Sequence, residues 1–97
     1  MTILEEVFNR YKDLWLSRNI SGYKGPCYYR FVKVELHNTE IEMIRYYPKT
    51  HKWQYDYAAK IEYLSKLEIV DDENLTSKLD AEYAKFLLTK KDNMYGR

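Results

Sequence analysis

Six of the chain's eleven tyrosines, Tyr28, Tyr29, Tyr46, Tyr47, Tyr55 and Tyr57, fall in three short stretches separated by turn-forming segments. Aromatic and β-branched residues at two-residue spacing favour strands over helices. Residues 27–36 and 40–47 therefore read as two strands, with His37-Asn38-Thr39 as the turn between them. Pro48-Lys49-Thr50-His51 is a second turn, since proline fixes the backbone angle that opens one. Trp53, Tyr55 and Tyr57 then alternate with Gln54 and Asp56, which predicts a third strand over 52–58. A competing pattern exists, because Trp53, Tyr57, Ile61 and Leu64 also share one helical face.

The flanks read as helices. Over residues 2–18, Leu4, Val7, Phe8, Tyr11, Leu14 and Trp15 recur at three- and four-residue spacing. Thr2 with Glu5 fits a capping box, in which each side chain bonds the other residue's backbone amide. Two glycines and a proline in residues 19–26 mark a loop. A helix is predicted from about Ala58 to Glu68. Another follows over 74–91, with Leu75, Leu79, Tyr83, Phe86 and Leu87 as its stripe, opened by the acids Asp71, Asp72 and Glu73. Residues 92–97 should fray. The expected fold is α+β, in the order α-β-β-β-α-α. It is a three-stranded antiparallel meander with an N-terminal helix and one or two C-terminal helices packed on one face. With 97 residues and no linker or repeat, a single domain spans 1–97.

Composition narrows the function classes. Sixteen bases nearly balance fifteen acids, which does not favour a strongly basic phosphate-binding protein. No run approaches 18 apolar residues, so no membrane span is expected. Met1-Thr2-Ile3-Leu4-Glu5-Glu6 lacks the basic start of a signal peptide, and a cytoplasmic location follows by default. The single cysteine, Cys27, excludes an internal disulfide framework. Cys27 with His37 or His51 and Asp56 supplies the residue types of a nucleophilic site, but their spacing does not bring them together. Two histidines in separate turns do not make a metal site. No phosphate loop, dinucleotide fingerprint or nucleophile elbow is present, so no cofactor and no enzyme activity are expected.

Two binding readings remain. The α-β-β-β-α order resembles that of double-stranded RNA-binding domains, over residues 25–67. Gly25-Pro26 before a strand containing Phe31-Val32-Lys33-Val34 is similar to their loop and first strand. The resemblance implies a phosphate-gripping lysine pair at the helix after strand three. Thr50-His51-Lys52-Trp53-Gln54-Tyr55-Asp56 lacks that pair. Arg45, Lys49 and Lys52, interleaved with Tyr46, Tyr47 and Trp53, still form a basic and aromatic hairpin over 45–53 suited to nucleic acid.

The favoured reading is protein binding. If Val32, Val34 and Leu36 face the helices, Tyr29 and Phe31 face outward, with Ile44 or Tyr46 beside them. Tyr29, Phe31, Arg45, Tyr46, Tyr47 and Trp53 are then the candidate partner-binding residues, since tyrosine, tryptophan and arginine anchor interfaces. A homodimer through this face, or pairing at an uncovered strand edge, is a related possibility. The chain reads as a small non-enzymatic protein-binding module, an inhibitor or adaptor in the style of those that phages and mobile elements encode. It would act sterically on a larger protein.

Overall fold

The computed structural model describes residues 2–35, 37, 39–58 and 64–95, with residues 90–95 described by backbone alone. The elements are α1 (Ile3–Tyr11), β1 (Leu16–Asn19), β2 (Pro26–Glu35), β3 (Glu40–Tyr47), β4 (Lys52–Ala58), β5 (Glu68–Ile69) and α2 (Glu73–Tyr95). The fold is α+β, as expected. However, the antiparallel sheet has five strands rather than three, in the order β4-β3-β2-β1-β5.

The first helix starts as its sequence dictates. The Thr2 hydroxyl accepts from the Glu5 amide at 3.2 Å, and the Glu5 carboxylate accepts from the Thr2 amide at 2.9 Å. It stops earlier than the apolar spacing suggests, at Tyr11 rather than Arg18. The reason lies in Trp15 and Leu16. Both are buried, but in different clusters. Adjacent residues reach opposite faces only in an extended chain. Residues 16–19 therefore form β1, which pairs with β2 from Leu16↔Tyr29 to Asn19↔Pro26. The connecting turn places Gly22 and Gly25 at φ of +86° and +94°, a region that favours glycine.

Strand β2 holds the second correction. Its pairing with β3 shifts register between Phe31 and Lys33. This bulge carries an extra residue, Val32, and re-aims the side chains beyond it. Cys27, Tyr29 and Phe31 point inward before the bulge, and Val34, opposite Ile41, joins the same cluster after it. Tyr29 and Phe31, expected to face outward, are core residues at 0% and 5% exposure. The expected partner of Val32 and Val34, Leu36, lies outside the described residues, as does Asn38.

Residues 52–58 form the strand predicted over the helical alternative, paired with β3 from Ile41↔Ala58 to Tyr47↔Lys52. Of the helix predicted from 58 to 68, residues 59–63 lie outside the described residues. Its last expected residue, Glu68, instead begins β5, which pairs with β1. Asp72 opens α2, its carboxylate accepting from the Asn74 and Leu75 amides at 3.0 and 3.2 Å.

The helices do not gather on one face. Leu4, Val7, Phe8 and Tyr11 of α1 pack with Cys27, Tyr29, Phe31, Ile41 and Met43. Leu75, Leu79 and Tyr83 of α2 pack with Trp15, Tyr28, Tyr46 and Trp53. Met43 and Tyr46 lie three positions apart on β3 and so point to opposite sides. With strands at the sheet's middle buried on both sides, each helix takes one face.

Candidate docking groove

The sheet divides the six candidate residues. Tyr29, Phe31, Arg45 and Tyr47 lie on the α1 side, while Tyr46 and Trp53 lie on the α2 side. Tyr46, at 4% exposure, is core like Tyr29 and Phe31. The outward patch read from the sequence therefore does not form. Arg45 pairs with Asp56, donates to the Tyr47 hydroxyl at 2.9 Å and sits 5.2 Å above the Tyr29 ring. Tyr47 donates in turn to Gln54 at 3.2 Å and meets Tyr23 edge-on at 5.3 Å. Lys49 lies 5.6 Å from the Tyr23 ring. The basic and aromatic hairpin is thus split between two faces and offers no continuous stacking surface.

The same division separates the nucleophile types. Cys27 and Asp56 belong to the α1 side, whereas His51 bonds Tyr46 on the other. Burial raises the Cys27 thiol pKa, outweighing the lowering by Arg45, which keeps it protonated. Among the described residues no three His, Cys, Asp or Glu side chains cluster to hold a metal ion. No described helix is long and apolar enough to cross a membrane.

The α2 side contains two adjoining concavities. Rings line up between sheet and helix. Tyr46 lies 4.4 Å from Trp53, Trp53 stacks on Phe86 at 5.3 Å, and Tyr83 meets Trp53 at 5.4 Å and Trp15 at 5.7 Å. The Trp15 indole donates to Asp80 at 2.8 Å, and Arg30 lies over the Trp15 ring at 5.1 Å while pairing with Asp80 at 3.5 Å. Rings this bulky hold the helix off the strands and leave hollows beside it.

Two hollows run along α2. One, of about 200 Å³, is lined by Tyr28, Tyr46, Pro48, Leu75, Lys78 and Leu79, together with His51 and Glu82. The other, of about 240 Å³, is lined by Trp53, Lys85, Phe86 and Thr89, again with His51 and Glu82. His51 and Glu82 are thus the junction. His51 adopts a left-handed backbone, φ +56°, at the β3–β4 turn, which costs free energy in any residue but glycine. That turn sets its Nδ1 2.9 Å from the Tyr46 hydroxyl. Burial, then the Glu82 charge, raises the Tyr46 pKa, and burial followed by Asp72 raises that of Tyr28. Both phenols stay neutral. Glu82 pairs with Lys85 at 3.5 Å, and Lys78 has no ion-pair partner among the described residues.

Sequence reasoning placed the α2 stripe but missed this groove. Lys78, Glu82, Lys85 and Thr89 follow i, i+4, i+7, i+11 and form the row beside the stripe. That row was the available signal. Comparison with protein-family models, curated proteins and solved structures gives no match for this chain.

Proposed function

We propose that this chain is a small non-enzymatic protein-binding module whose docking surface is the groove between α2 and the β3–β4 turn. It acts as an inhibitor or adaptor, by occupying or holding a segment of a larger protein. The observation that carries this reading is the pair of joined, aromatic-floored hollows meeting at His51 and Glu82. Each is smaller than the roughly 300–1,000 Å³ that small-molecule sites fill. Two hollows of that size, set side by side along a helix, suit successive side chains of a partner polypeptide. A single buried, protonated cysteine suits a reducing compartment such as the cytoplasm.

The test places a large side chain across the groove without touching the core. Lys78 is exposed and rims the first hollow, so Lys78→Trp lays an indole over it. Cross-linking in native lysate should recover a partner with the wild-type chain and lose it with Lys78→Trp, while thermal unfolding stays unchanged. Equal recovery by a folded Lys78→Trp variant overturns the groove as the docking surface.

A further inference from the structure

The chemistry of the groove points to the kind of segment it takes. We infer that the groove binds an extended polypeptide segment carrying apolar side chains beside carboxylates. This rests on the protein-binding reading above and names its partner class.

The floor and the rim each contribute. Tyr28, Tyr46, Pro48, Leu75 and Leu79 in one hollow, and Trp53 with Phe86 in the other, demand apolar side chains. The rim carries Lys78, Lys85 and the His51 imidazole against one acid, Glu82. Lys85 already meets Glu82. Among the described rim residues Lys78 is the lysine left to engage a ligand, and a carboxylate is its complement. From Leu75 to Thr89 the helix spans about 21 Å at 1.5 Å per residue. An extended chain covers that distance in about six or seven residues.

Single-stranded nucleic acid is the other class that joins negative charge to flat rings. Trp53 is unsuited to stack on bases, because Tyr46, Tyr83 and Phe86 already crowd its faces. Glu82 at the junction repels a phosphate backbone, and two lysines fall short of the basic surfaces such ligands favour.

A phage-displayed library of random dodecapeptides, selected on the full chain, tests the inference. Wild-type protein should enrich sequences that combine Asp or Glu with Leu, Ile or Phe. Selected peptides should lose about tenfold or more in affinity for a Lys78→Glu, Lys85→Glu variant, with lower affinity as salt rises. Both substitutions are at exposed positions, so folding is retained. Enrichment of basic or purely apolar peptides, no enrichment at all, or equal affinity for the charge-reversed variant overturns the inference. So does binding of a twelve-residue oligothymidylate that Lys78→Trp abolishes. If these selections fail while Lys78→Trp still loses the native partner, the acidic segment is wrong and the docking groove stands. If Lys78→Trp keeps that partner, the groove itself is wrong.

Discussion

One sheet is closed in two different ways on its two faces. The α1 side is covered by a nine-residue helix together with Ile20, Tyr23, Leu64 and Leu67, and Cys27, Tyr29, Ile41 and Met43 are wholly buried there. The α2 side has a 23-residue helix, yet Trp53, Tyr83 and Phe86 remain partly exposed beside two hollows. Side-chain shape explains the difference. Flexible Met43 and branched Ile41 pack among the rings under α1, where the hollow beside Val7, Tyr11 and Phe31 is about 30 Å³. Rigid rings under α2 touch at tilted angles and hold the helix at arm's length. The denser face therefore carries more of the stability and the looser one carries the groove.

Removing one ring from each face gives the largest test. Phe31 lies between Phe8 and Tyr11, at ring-centre distances of 6.2 and 6.4 Å. Phe31→Ala should cost about 3–5 kcal/mol, a large share of a small domain's stability. Trp53→Ala removes a bigger side chain from the half-open face, where water refills part of the space, and should cost about 2 kcal/mol. Urea denaturation monitored by circular dichroism measures both. A larger loss for Trp53→Ala would reverse the ranking of the two faces.

A polar contact gives a smaller effect on the α2 side. Asp80→Ala takes the acceptor from the Trp15 indole and the partner from Arg30. Asp80 is largely solvent-exposed, so water replaces part of what is lost. The expected cost is about 1 kcal/mol, with a change in Trp15 emission. Asp80→Asn keeps an acceptor for the indole and should recover most of it. Equal losses in the two variants would place the effect in the Arg30 ion pair instead.

What could be read from the sequence follows from which interactions are local. The strands at Pro26–Glu35, Glu40–Tyr47 and Lys52–Ala58 announce themselves by alternation and turn residues, and the stripe of α2 by its spacing. Strand β1 does not, because Leu14 and Trp15 continue a helical spacing. Only pairing with β2 and burial on two faces make Leu16–Asn19 extended. The bulge at Val32 is set by register against β3, and it brings Val34 to the side that Tyr29 and Phe31 already occupy. A row of alternating charge on a helix ordinarily reads as a solvated flank. Lys78, Glu82 and Lys85 become a rim only once the rings beneath hold α2 off the sheet.

The dense face has its own weak point at the start of α1. Thr2→Ala breaks the capping box and should lower stability by about 1 kcal/mol, letting Val7 and Phe8 lift from Phe31. The effect carries a pH signature. Hydrogen bonds from the Thr2 backbone and then its side chain hold the Glu5 pKa below the ordinary 4.5. A carboxyl depressed in the folded state stabilises it above that ordinary value, and the contribution fades as pH falls through the lower folded value. Wild type should therefore lose stability on acidification below about pH 4.5 somewhat more steeply than Thr2→Ala, because the variant keeps the backbone bond to Glu5 but has lost the side-chain bond that also holds it ionised. Parallel acid profiles would show that the cap is not coupled to Glu5. A matching loss of protection from hydrogen exchange at Cys27 and Tyr29 would show that the dense face opens from α1 inward.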